Sequence, residues 1–90
     1  MPYSDGPVEL PCAGLTADAR HEDLCQMGLV YSTGLGVAED LVAAHKWFNL
    51  AALKGNEEAK TYRKDLADMM SSEELAEALK AAREWLSLMN

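Results

Sequence analysis

The segment DLVAAHKWFNLAALKG, residues 40–55, constrains this chain more than any other. An acid able to cap free N–H groups opens it and a glycine closes it, so it reads as a helix starting at Asp40 and ending at Gly55. Leu41, Val42, Ala44, Trp47, Phe48, Leu50, Ala51, Ala52 and Leu53 spread over most of its circumference. Only His45, Lys46 and Asn49 form a polar stripe. A helix that is apolar nearly all round has to be covered on more than one side. The neighbours must come from a chain of only 90 residues, which is one small domain. Chains of this size bury roughly 60–65% of their unfolded surface, so each large side chain matters.

The flanking segments carry the helical period, and strand signals are nearly absent. A first helix is predicted from about Ala19 to Thr33, with Leu24, Met27, Gly28 and Tyr31 on one face. Thr16 is its candidate N-cap, Asp18 favours the positive end of its dipole, and Gly34 ends it. A third helix begins after Asn56, with Glu57 and Glu58 in its first turn and Ala59, Tyr62, Leu66 and Met69 or Met70 inward. Ser71 and Glu74 then have the spacing of a capping box, which opens a fourth helix. Its inward set is Leu75, Ala78, Leu79, Ala82 and Leu86. Four helices on short connections give an all-α, antiparallel helix-hairpin array.

Residues 1–15 hold all three prolines and two of the six glycines, and read as an extended N-terminal arm. The opening MPYSDGPVEL has neither a basic start nor an apolar run, and no stretch approaches the roughly 20 apolar residues of a membrane span. The expectation is therefore a cytoplasmic protein with Cys12 and Cys25 reduced, although two cysteines can form one bridge. A net charge of −7 argues against nucleic acid and against anionic membrane surfaces, both of which are bound through Lys and Arg.

The stretch MGLVYSTGLGVAEDLVAAHKWFNLAALKGN resembles the Sel-one-like repeat, a relative of the tetratricopeptide repeat that stacks helix pairs into a solenoid. Met27-Gly28 stands at the family's Leu-Gly, and Tyr31 at the aromatic residue that ends its first helix. Gly34, Gly36 and Val37 match its G-x-G-V turn, and Asp40 its capping acid. Ala44, Trp47, Ala51 and Ala52 match its A-x-x-W-x-x-x-A-A, and Gly55 closes the unit. The similarity covers Leu24 to Asn56 and suggests a small bacterial single-repeat member. It departs at Asp23, where the family has a small apolar residue, and at Arg63-Lys64, where the next Leu-Gly would fall. The organisation implied is an arm over 1–15, one repeat over 16–56 and a capping helix pair over 57–90. Small residues at Gly28 and Ala44 would let the two helices of the repeat approach closely. Trp47 would fill the wedge between hairpins.

Candidate chemistry is sparse. The GLG turn lacks a preceding strand, has Glu39 where a dinucleotide fingerprint needs its third glycine, and is followed by no GK[ST]. His21 and Cys25 have the i, i+4 spacing of metal ligands, but Cys12 and His45 would have to complete the set. Cys25 reads better as a small core residue and His45 as part of the polar stripe. Ser32, Ser71 and Ser72 are turn or cap residues, and Glu73, Glu74 and Glu77 fall on a solvated face. No catalytic residue, metal or cofactor is assigned, and the chain reads as non-enzymatic. Some cysteine-rich members of the family are associated with penicillin binding, which leaves a β-lactam-binding hydrolase as a minor alternative.

The family commonly binds along its first-helix side. That implies a protein-interaction module, an adaptor or accessory subunit, with Gln26, Leu29 and Val30 as its partner surface. Trp85, Leu88 and Met89 cannot all share the inward stripe of the fourth helix, and form a second candidate surface for a partner or for another copy of the chain. A self-associating homo-oligomer is the other reading.

Overall fold

The structure, a computed structural model, describes residues 20–89, with Met89 described by its backbone alone. Among them are four α-helices and no strand: α1 His21–Thr33, α2 Leu41–Leu53, α3 Glu57–Ala67 and α4 Ser72–Met89. The arm over 1–15, Cys12, Thr16, Asp18 and Ala19 lie outside the described residues. The N-cap of α1 is Arg20, whose side chain makes no capping bond, rather than Thr16 four residues upstream. Glu22 and Asp23 stand in the first turn instead, where carboxylates favour the helix dipole.

The turn between α1 and α2 follows from its glycines. Gly34 has φ 72° and Gly36 φ 85°, backbone that other residues adopt only with strain. Gly34 and Leu35 both donate to the Val30 carbonyl, at 2.9 and 3.2 Å, which satisfies the open end of α1. The Asp40 N–H donates to the Tyr31 carbonyl at 3.0 Å and ties the end of the turn back to α1. The Asp40 carboxylate then accepts from Ala43 N–H at 3.0 Å and starts α2. Asn56 caps α3 through Ala59 N–H at 2.8 Å. Ser71 and Glu74 form the reciprocal capping box at 3.1 and 2.9 Å.

Helix α2 is the hub. Its interfaces with α1, α3 and α4 are the extensive ones, and α3 and α4 each pack on α2 more than on each other. Ala44, Phe48, Leu50 and Ala51 are buried on its several faces. Each large side chain taken from water there contributes on the order of 1.5–3 kcal/mol. Trp47, 3% exposed, meets Trp85 of α4 edge-to-face at 5.6 Å. Phe48 stacks on Tyr62 of α3 at 5.1 Å. Its ring also lies against Gly28, so the small residue of α1 makes room for an aromatic face of α2.

Three expectations about facing change. His45 is buried, 4% exposed, because the stripe it was assigned to faces α3 and α4 and Arg63 reaches across to Asn49. Leu79 is 41% exposed, because α4 turns Ala78 and Ala82 toward α2 and brings Trp85 to Trp47. Leu53, counted in the apolar set of α2, is exposed at its last turn. Of the two methionines after α3, Met70 is buried and Met69 exposed.

Candidate interaction site

On the first-helix side, the start of α3 sits beside α1. One residue accounts for this placement. Asn56, buried, uses its amide oxygen to cap α3, which leaves its NH2 facing Nδ1 of His21 at 3.0 Å. The His21 nitrogen therefore accepts, with the ring proton on Nε2. This bond crosses from the first turn of α1 to the first turn of α3. It brings Glu58 next to residues more than thirty positions earlier in the chain.

Between the two helices lies an open recess of about 200 Å³. Helix α1 lines it with Glu22, Cys25, Gln26 and Leu29, and the α3 side with Asn56 and Glu58. Gln26 is exposed and Leu29 half-buried against the core, so an apolar patch and an amide face solvent together. Glu22 and Glu58 are both exposed at the rim. A hydrogen bond from backbone N–H at the first turn of α1, then Arg20, holds the Glu22 carboxyl below the usual carboxylate range. Its charge is thus present at neutral pH. Burial, reinforced by Glu58, pushes the Cys25 thiol up, which keeps it protonated and a poor nucleophile. The recess offers two carboxylates, an amide and a leucine, and no activated group.

Two of the three first-helix candidates, Gln26 and Leu29, come together here. Val30 does not: it is 8% exposed, because it shares the inward-facing side of α1 with Met27, and its carbonyl receives the closing bonds of the helix. Glu22 and Glu58 were not singled out, although Glu58 two residues after a capping Asn56 is a signal that it lies in the held first turn of α3. At the other end of the chain, Trp85 is half-buried against Trp47, and Leu88 is 81% exposed. The Met89 side chain lies outside the described residues. Of the residues weighed as metal ligands, His21 and Cys25 share α1, Cys25 lines this recess and His45 a different one, and Cys12 lies outside the described residues. Among the described residues no group of three or more His, Cys, Asp or Glu is placed to hold a metal, and no helix is long and apolar enough to cross a membrane. Comparison with protein-family models, with curated proteins and with solved structures finds no match to this chain.

Proposed function

We propose that this chain is a non-enzymatic protein-interaction module, an adaptor or accessory subunit, built on a Sel-one-like helix pair with α3 and α4 as its cap. The helix pair is supported by Gly34 and Gly36 in left-handed backbone, by the Asp40 cap and by Trp47 wedged toward α4. The observation that carries the function is the α1/α3 recess, where Gln26 and Leu29 lie inside a rim of Glu22 and Glu58. Such a site suits a partner segment that sets a Lys or Arg beside an apolar side chain. The apolar part gains from burial on Leu29, and the carboxylates speed encounter with the basic part.

The test is capture from native lysate with the tagged full chain, run beside a Glu22→Lys, Glu58→Lys variant and a Gln26→Ala, Leu29→Ser variant. All four positions are partly or fully exposed, and unchanged melting temperatures confirm that the variants fold. A partner held by the wild type and lost by both variants supports the reading. A partner retained equally by all three overturns the placement of the site. If the tagged chain recovers only itself, sedimentation over a range of concentrations measures the homo-oligomer, which exposed Leu88, Leu35 and Met69 would serve.

A further inference from the structure

A second groove shares no lining residue with the first, and its chemistry is the reverse. It has a volume of about 280 Å³ and lies where α2, α3 and α4 meet. Leu75 and Leu79 of α4 and Ala67 of α3 make its apolar wall. Arg63 and Lys64 of α3 stand at its side, and buried His45 lies at its base. The guanidinium of Arg63 is held in place by donating to Asn49 Oδ1 at 2.7 Å. No carboxylate lines this groove among the described residues, in a chain that carries 15 acidic and only 8 basic side chains.

Two further observations mark the groove as unfinished. Leu79 leaves 41% of its surface exposed at the wall, next to the fully buried Ala78. Nδ1 of His45 is buried and has no hydrogen-bond partner, and buried polar atoms without a partner are rare in folded proteins. Burial, and then the Arg63 charge, hold the His45 ring below its ordinary range. The ring is therefore neutral at physiological pH, and the fixed positive charge of the groove comes from Arg63 and Lys64.

We infer that this groove is a docking site for a protein segment that sets an acidic residue beside a Leu-sized apolar side chain. The apolar side chain covers Leu75, Leu79 and Ala67, and the carboxylate faces Arg63 and Lys64. Charge complementarity selects the occupant: a basic segment would meet two cations here and two carboxylates at the α1/α3 recess. This inference does not rest on the proposed function, since a different face and different residues carry it. Together the two faces would let one small chain hold two segments of opposite charge.

The experiment is selection of random phage-displayed 12-residue peptides on the immobilised full chain. The selected peptides are then titrated by fluorescence anisotropy against wild type, Lys64→Glu and Leu79→Glu. Both substituted positions are exposed, and thermal melts confirm that the fold is kept. Enrichment of peptides pairing Asp or Glu with Leu, Ile, Met or Phe is expected. Each substitution should weaken binding about ten-fold or more, and added salt should weaken the wild type, as charged rims do. Enrichment of basic peptides, no enrichment at all, or equal affinity for the three proteins overturns the inference. So does concentration-dependent self-association that Leu79→Glu abolishes while no peptide binds, because the occupant is then a second copy.

Discussion

The contact between Gly28 and Phe48 allows a sharp test of the packing. A methyl group on Gly28 would come within 2.8 Å of Phe48 Cγ, and closer still to Cδ1 and Cε1. Carbon atoms pack at about 3.5–4.0 Å, so the ring or the helix must move. The ring has little freedom: Phe48 is almost fully buried and stacks on Tyr62 at 5.1 Å. Gly28→Ala gains about 1 kcal/mol in helix propensity, because α1 no longer carries the backbone entropy of a mid-helix glycine. Overpacking a closed site costs about 1–3 kcal/mol, and a rigid aromatic wall puts this site near the upper figure. The net loss is then about 2 kcal/mol, or roughly 8–16 °C in melting temperature for a domain of this size. Far-UV circular dichroism melts read it directly. In a Phe48→Leu background the obstacle is gone, and Gly28→Ala should become neutral or stabilising by up to about 1 kcal/mol. A Gly28→Ala single mutant that melts at or above wild type, or a double mutant with no coupling, would refute the close approach of α1 and α2.

Trp47→Ala should cost about 3–5 kcal/mol, since it opens a cavity and removes the partner of Trp85. A domain of this length has on the order of 5–13 kcal/mol in total, so the variant should lose cooperative unfolding, and a near-wild-type thermal transition would count against the wedge role. His45 should make stability depend on pH. Its folded value lies below its ordinary 6.5, so the unfolded chain takes up the proton first. Its contribution is therefore intact above 6.5 and declines as pH falls through the window between 6.5 and the folded value, by at most about 1.4 kcal/mol per pH unit. Urea midpoints measured from neutral to mildly acidic pH should slope less in His45→Phe than in wild type, and equal slopes would remove His45 as the cause.

The local devices were legible because each is contained within a few residues. Gly34 and Gly36, the Asp40 cap, the Asn56 start and the Ser71–Glu74 box all follow from neighbours at fixed offsets, and the structure has each of them. The wide apolar girth of α2 likewise required several covering elements, and α1, α3 and α4 supply them. Gln26 and Leu29 could be read as one surface because they lie one helical turn apart. Glu58 could not be joined to them, since the His21–Asn56 bond that places it spans 35 residues.

What escaped the sequence shares one physical origin, the rotation of a helix about its own axis when it docks. Leu75, Ala78, Leu79, Ala82 and Leu86 make a regular apolar stripe on α4, and the helical period alone leaves its centre undefined within a residue or so. Two alanines decide the matter. With Ala78 and Ala82 almost fully buried against the rest of the fold, α4 can approach α2 closely enough for Trp85 to reach the edge of Trp47. That approach swings Leu79 out to the groove wall. His45 is misread for a related reason: a stripe of one His, one Lys and one Asn reads as solvated until α3 docks and brings Arg63 to Asn49. Arg63-Lys64 looked like a lapse from the repeat pattern. In the fold, Arg63 secures the α2–α3 junction and Lys64 stands beside it at the groove, so the departure from the pattern is where a groove lined by cations and no carboxylate arises.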